Sequence, residues 1–504
     1  MLAQVHSFIL QGIDPIACEV EVDVADRGLA KTTIVGLPDA AVKESIERVR
    51  SAIQNSGYPF PLSRMLVNLA PADIRKEGPV FDLPIAIGLL LAENVIQTQT
   101  HKRLLFAGEM ALDGRIRPVN GVINLAILAR RLQMDGIVVP QENASEAAAV
   151  GDIAVYPADS LATVVGFLNE MHEIEPQPEV DVDSILSSQQ PEIDFGDIRG
   201  QEAVKRALVI AASGAHNALM VGPPGTGKTM SAKALPGIMP PLAREEALEV
   251  TRIFSTVGLI PKGQPLLTRR PVRTPHHTAS NVAVIGGGAV PRPGEVSLAH
   301  NGILFLDEMP EFPRTVLETL RQPLEDGYVT IARAHSSVRF PARFMLVAAL
   351  NPTQKGTMPD DEFSQRQMER YLSKISGPLI DRIDIHVEVP AVPHKQLSAP
   401  ANGTNTATMR EQVANARAIQ AKRNGGPTRP NCSLSGRELD RLAVLDDMGQ
   451  GVLKQSMTEM GLSARAYDKI RRVARTIADL EESENIQMHH VAEAVQYRLL
   501  DRQT

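Results

Sequence analysis

The sequence predicts a multidomain α/β protein with a central domain built on a parallel sheet and a phosphate-binding loop. Three observations predict it. A buried strand pattern at Leu219-Met220-Val221 runs into Gly222-Pro223-Pro224-Gly225-Thr226-Gly227-Lys228-Thr229, and a helical pattern follows. Strand, Gly-x-x-x-x-Gly-Lys-Thr and helix in that order make the Walker A arrangement. Helical and strand periodicities alternate in front of this loop, whereas residues 409–504 read as mostly helical. A chain of 504 residues is also too long for one core and suggests about three domains.

The loop residues match its chemistry. Gly222, Gly225 and Gly227 let the backbone close around phosphate oxygens with its N–H groups pointing inward. The helix that follows presents its positive end to the same anion. Lys228 supplies a charge to the β and γ phosphates and Thr229 a hydroxyl for Mg²⁺, so ATP and Mg²⁺ are the expected ligands of residues 222–229. Gly302-Ile303-Leu304-Phe305-Leu306-Asp307-Glu308 is an apolar strand ending in two acids, a Walker B pattern. Asp307 is expected to hold Mg²⁺, and Glu308 to act as general base on the attacking water. Phe344 to Leu350 reads as a third buried strand that delivers Asn351 ahead of Pro352. An amide there either orients the lytic water or caps a turn. Arg382, in Gly377-Pro378-Leu379-Ile380-Asp381-Arg382-Ile383-Asp384, is the best arginine-finger candidate. An ion pair to Asp381 or Asp384 is the alternative, and both stay open.

Composition narrows the class. Hydrophobic content of 43% and charged content of 22% are ordinary for a soluble globular protein. A net charge of -7 excludes a chain that is basic throughout, but leaves room for a local basic surface. Cys18 and Cys432 are the only cysteines, which excludes a disulfide framework and fits a reducing, cytoplasmic setting. Met1 to Asp14 lacks a basic segment followed by an apolar one. The longest apolar run, Leu83 to Ala92, is too short for a bilayer. No membrane partner is expected.

Residues 1–170 form a front domain. Ala17 to Val24 and Arg64 to Leu69 have strand character, and Gly136 to Pro140 reads as a short buried strand. Ala40 to Ser56, Leu83 to Val95 and Gly121 to Leu132 have helical spacing. Residues 171–192 carry Glu173, Glu175, Glu179, Asp181 and Asp183 among Pro, Ser and Gln, the composition of a linker. Residues 193–392 hold the nucleotide motifs and 393–504 a helical lid. Within that lid a helix starts near Ser435, and Leu462 to Tyr467 opens a long one with Ile470, Val473, Ala474 and Ile477 on one face. Arg471, Arg472 and Arg475 read as its solvated face, and His489 and His490 as ordinary residues entering the last helix.

Several motifs carry a family resemblance. Lys76-Glu77-Gly78-Pro79, then a helix, then Gly108-Glu109-x-x-Leu112-x-Gly114-x-Ile116-x-Pro118-x-x-Gly121 resembles the proteolytic domain of Lon proteases, a ribosomal S5 domain 2-like fold. That family uses a Ser–Lys pair. Here Val80 and Phe81 stand at the serine position and Ile123 near the lysine position, so the front domain is expected to be non-catalytic. The central strand, Walker B and sensor order resembles AAA+ ATPases, whose sites lie between subunits of a ring. Two inserts are similar to those of the magnesium-chelatase-like branch. One spans Arg270 to Thr278, Gly286 to Gly288 and Pro291 to Glu295; the other spans Pro323 to Pro341 and reads as a β-hairpin with Ala332 to Ser337 near its tip. With the Lon-like front, nearly the full chain resembles the YifB/ComM family.

The resemblance implies a hexameric DNA helicase that promotes branch migration during natural transformation, with single-stranded or branched DNA and recombination proteins as partners. It implies that Arg465 contacts the γ phosphate from the same subunit. Arg333, His335 and Arg339 flank the hairpin tip, where they either track DNA phosphates in a channel or form a solvated surface. His276 and His277 with His300 suggest zinc, against a plain structural role. A metal-chelatase or protein-remodelling motor is the alternative function, and an ATP-dependent protease is disfavoured by the missing pair.

Overall fold

The computed structural model describes residues 1–25, 31–187, 190–261, 263–333, 336–351, 374–393, 403–498 and 500, with the side chains of Arg333 and Ser336 outside the description. The chain divides into two compact units, Met1–Ser187 with Ala243–Thr268, and Ser188–Leu242 with Arg269–Thr504.

The front unit is built on seven strands: Leu2–Gln11 (β1), Asp14–Val24 (β2), Lys31–Val35 (β3), Arg64–Ala70 (β4), Leu104–Phe106 (β5), Gly136–Pro140 (β6) and Ala154–Ala158 (β7). Their order is β3-β4-β2-β1-β5-β6-β7. β1 and β2 form a hairpin closed by Gln11 opposite Asp14, and Gly12 in its two-residue turn has the positive φ that such turns require. Val20, Val22 and Val24 alternate into the core. Helix Ala40–Asn55 connects β3 to its parallel neighbour β4, and helix Asp82–Ala92 is buried along almost its whole length. Strands β2, β4 and β6, these helices and helix Val122–Arg131 lie where periodicity put them; β1, β3, β5 and β7 are additional.

Two segments differ from the contiguous division expected. Val182–Ser187 in the acidic stretch form a helix, because Val182 and Leu186, four residues apart, are both buried. Residues 243–268, inside the segment assigned to the ATPase core, belong to the front unit. Their helix Arg244–Thr256 buries Ala247, Val250, Ile253 and Phe254, and Leu248 packs on the apolar cluster around Val122 and Leu125.

The second unit holds Ala218–Val221 (β8), Val272–Arg273 (β9), Ile303–Leu306 (β10), the hairpin Tyr328–Arg333 (β11) and Ser336–Pro341 (β12), Met345–Leu350 (β13) and Ile385–Glu388 (β14). Five of them make one sheet in the order β9-β10-β13-β8-β14, and every pairing in it is parallel. Residues of β8, β10 and β13 are buried throughout, as parallel strands covered on both faces must be. Helix Glu202–Gly214 packs against the C-terminal helices Thr406–Asn424 and Ala464–Leu480. Ser463 caps the last of these by accepting from Ala466 N–H, and Ile470, Val473, Ala474 and Ile477 are buried as expected.

Its arginines correct the expectation of a solvated face. Arg475 is 2% exposed. It donates to Asp479 at 3.1 Å and to the carbonyls of Glu484 and Ser483 at 2.7 and 2.5 Å. Arg471 reaches Asp440 at 2.9 Å and the carbonyls of Leu439 and Ala443, and Arg472 donates to Leu434 O at 2.7 Å. Asp479 is four residues on along the same helix, but the other acceptors lie outside it, where helical periodicity does not reveal them. No helix among the described residues is long and apolar enough to cross a membrane.

Candidate functional site

Parallel strands end on the same edge of their sheet, and ligands of such sheets bind at the carboxyl ends. Val221 pairs with Leu350 and Leu306 with Ala348. The loop after β8, the acids after β10 and the amide after β13 therefore emerge side by side. Gly222 is the residue that lets the loop leave the sheet: a Cβ there would lie 2.1 Å from the carbonyl oxygen of Val389. Its need for glycine comes from the flank of β14. Gly225 and Gly227 have φ of +77° and +87° with open space around them, so they supply the positive φ of the loop.

Lys228 Nζ donates to the carbonyls of Gly222 and Pro223, each at 2.7 Å, and to Asn351 Oδ1 at 3.2 Å. Burial lowers the pKa of this ammonium, and Asp307 and Glu308 oppose the shift. Thr226 Oγ1 donates to Pro223 O at 3.0 Å, while Pro224 and Gly225 lie exposed at the apex. Thr229 Oγ1 donates to Asp307 Oδ2 at 2.8 Å, and Asp307 Oδ1 accepts from Glu308 N–H at 3.1 Å. This hydroxyl–carboxylate pair fits Mg²⁺, which takes one or two protein oxygens and fills its remaining positions with water and phosphate oxygens.

Glu308 is exposed and left-handed, with φ +51°, a strained backbone for a residue with a side chain. Its carboxylate lies 3.8 Å from His277 Nδ1, and the His277 ring stacks on His276 at 4.1 Å. The structure thus turns His277 toward Glu308 rather than into a triple with His300, whose Nδ1 accepts from Arg343 N–H. Among the described residues, the one group of donors close enough for a metal is Glu481, His489 and His490. There His490 Nδ1 accepts from Gln487 N–H at 2.9 Å. Its proton therefore sits on Nε2, facing Glu481 at 3.1 Å, which makes the group a helix cap and not a ligand set.

Arg382 pairs with Glu325 and donates to Pro378 O at 2.5 Å, so neither Asp381 nor Asp384 is its partner. Asp384 pairs instead with Lys469 at 3.1 Å and lies 3.6 Å from His216. Arg382 precedes β14, whose four residues span about 13 Å at roughly 3.3 Å each, so it stands at the far end of the sheet from its own phosphate loop. Lys469, one turn beyond the exposed Arg465, donates to Ile383 O at 3.2 Å.

At the hairpin, Ala332 pairs with Ser337 and Arg333 with Ser336, which places the tip where it was expected. Arg339 is exposed, with its guanidinium 4.3 Å from the Tyr328 ring centroid. The side chain of Arg333 and all of His335 lie outside the described residues. In the front unit, the serine and lysine positions of a Lon-type pair hold core side chains: Phe81 and Ile123 are buried and Val80 is partly buried. Sequence reasoning missed His277 as a partner of Glu308. It also missed Gln201, which donates to Pro390 O at 2.6 Å just past β14. Both contacts depend on strand register, and no local motif signals them.

Three family models match. Residues 194–397 match magnesium chelatase, subunit ChlI; residues 20–143 match subunit ChlI of Mg-chelatase; and residues 403–498 match the ChlI C-terminal model. Competence protein ComM of Haemophilus influenzae is 44% identical over 510 residues, covering 99% of this chain and 98% of its own. The YifB protein of Salmonella typhimurium is 43% identical over 504 residues with the same 99% and 98% coverage. The magnesium-chelatase 38 kDa subunit of Rhodobacter capsulatus is 28% identical over 218 residues, 40% of this chain and 56% of its own.

Proposed function

Since the chain belongs to the YifB/ComM family of magnesium-chelatase-like AAA+ proteins, we propose that it is an ATP-hydrolysing motor that works as a homo-hexameric ring. Its substrate in this proposal is single-stranded or branched DNA, moved by branch migration during natural transformation together with recombination proteins in the cytoplasm. The observation that carries the ATPase reading is that the adjacent Lys228 and Thr229 hydrogen-bond to Asn351 and Asp307, at the ends of the two neighbouring strands. The DNA reading is supported by the relative matched over 99% of this chain, which is a competence protein.

In this proposal each residue has a role that the geometry supports. Residues Gly222 to Thr226 and Gly227 wrap the phosphates, and Lys228 exchanges its two loop carbonyls for phosphate oxygens. Thr229 and Asp307 hold Mg²⁺, which when bound neutralises phosphate charge. Glu308 accepts the proton of the attacking water while Asn351 orients it. Arg382, at the opposite end of the sheet from its own phosphate loop, reaches the nucleotide of a neighbouring subunit, and Arg465 contacts the γ phosphate from the same subunit. Arg333, His335 and Arg339 on the hairpin meet DNA phosphates. A metal-chelatase or protein-remodelling motor is the second reading, supported by the chelatase models that match 194–397 and 403–498.

The test is the ATPase rate with and without single-stranded and branched DNA, with Glu308→Gln as control. Stimulation by DNA is expected, with hydrolysis in the variant reduced about 10²–10⁴-fold and ATP binding retained. A protein that assembles and binds nucleotide but neither binds DNA nor responds to it would transfer the assignment to the remodelling or chelatase-type motor.

A further inference from the structure

Residues 243–268 leave the ATPase unit and return to it. The departing chain follows the Walker A helix Lys228–Ala234. The returning chain becomes β9 and then the loop that brings His277 to Glu308. Both connections are tied down within the ATPase unit. The outgoing stretch contains Pro236, Pro240 and Pro241, each with a fixed φ, and buries Leu235, Ile238 and Leu242. Arg270 staples the two crossings together: its guanidinium donates to Pro240 O at 2.8 Å, to Pro241 O at 3.2 Å and to Asn301 O at 2.6 Å, just ahead of the Walker B strand.

Inside the front unit the excursion is gripped by buried polar contacts. Gly121 N–H donates to both Oγ and O of Ser255, at 3.0 and 3.1 Å. Ser255 Oγ donates to the carboxylate of Glu146, which also accepts from Ile123 N–H at 3.2 Å and from Asn143 Nδ2 at 3.4 Å. Arg252 donates to Asn124 Oδ1 at 2.8 Å, to Ile13 O at 3.0 Å and to Asp14 at 3.2 Å. A Cβ on Gly258 would come 2.8 Å from Asn120 Oδ1. Thr251 Oγ1 accepts from Leu267 N–H at 2.9 Å, which folds the returning strand onto the helix. Glu146 and Ser255 are buried, and a buried polar network of this kind is costly to leave half satisfied.

We propose that residues 243–268 are a lever, a stretch of ATPase chain held by the front unit, through which a change at Lys228 and Thr229 is passed to the front-unit surface around Gly121, Asn124 and Glu146. The front unit is then an element driven by the nucleotide cycle. This rests on the ATP-binding reading above. Coupling of this kind is reciprocal, so a loosened grip also changes nucleotide affinity.

Hydrogen–deuterium exchange on the full chain tests it, with and without a non-hydrolysable ATP analogue and Mg²⁺. In the wild type, the analogue is expected to slow exchange at 222–229 and to change it at 119–146 and 244–256 by at least about fivefold, the lower end of typical couplings. Arg252→Ala with Ser255→Ala is expected to keep the response at 222–229 and lose it at 119–146, whereas Ser255→Thr, which keeps the hydroxyl, retains both. Protection at 222–229 with no change at 119–146 in the wild type would overturn the lever. No protection at 222–229 would overturn the ATP-binding reading itself, and the lever with it.

Discussion

Lys228 shows how much one side chain depends on its surroundings. A buried ammonium is costly unless its protons are taken, and here Gly222 O, Pro223 O and Asn351 Oδ1 take them. Asp384 is the opposite case. Burial alone would raise its pKa, but Lys469 and His216 beside it hold the carboxyl far below the usual range. A folded-state pKa below the unfolded one means that the stabilisation is complete above the ordinary carboxylate pKa of about 3.9. It is lost as pH falls through that value toward the folded pKa. Asp384→Asn strands Lys469 and is expected to destabilise the protein by about 3–5 kcal/mol at pH 7. Denaturant midpoints of variant and wild type should converge below about pH 4; a gap that stays constant down to pH 3 would assign the stability to something other than the ion pair.

At the scale of elements, the hairpin β11–β12 lies outside the five-stranded nucleotide-binding sheet, and helix Arg244–Thr256 belongs to the front unit. The hairpin is antiparallel in unbroken register from Tyr328 opposite Pro341 to Arg333 opposite Ser336. The Arg339–Tyr328 stack fixes one guanidinium against an aromatic face, a contact worth about 0.5–1 kcal/mol at an exposed site. If the hairpin meets DNA, Arg333→Ala with Arg339→Ala lowers single-strand affinity and flattens its salt dependence. The log–log slope should fall by about 0.7 for each phosphate contact removed, with basal ATPase unchanged. Equal affinity and slope in a titration from low to moderate salt would remove the hairpin from the DNA path.

For the whole molecule, the decisive feature is that the sheet has two functional ends. The phosphate loop lies at the carboxyl end, and Arg382 lies at the start of β14, about 13 Å away at the usual rise per residue. In the proposed ring, the arginine that completes a nucleotide site is supplied by a neighbour. Mixing Arg382→Ala and Lys228→Ala subunits, each inactive alone, is therefore expected to restore part of the ATPase, because some interfaces then combine an intact loop with an intact Arg382. A mixture as inactive as its components, in rings shown to be mixed, would place Arg382 outside the reaction.

Sequence by itself determined the phosphate loop, the acids at 307 and 308, the amide at 351, the hairpin tip and the helical C-terminal region, and family membership followed from these motifs. Such features are local: glycine spacing, apolar runs and turn residues act over a few positions, and strand–loop–helix order is carried by the chain itself. Tertiary structure alone decided the rest. It showed that a side chain at Gly222 would strike the carbonyl of Val389, and that His277 faces Glu308. It buried Arg471 and Arg475 and assigned residues 243–268 to the front unit. Apart from the contacts of Arg475, all within nine residues of it, these depend on partners that are remote in sequence. Register and packing choose such partners, and a helical stripe such as Ala247, Val250 and Phe254 looks the same whichever core it covers.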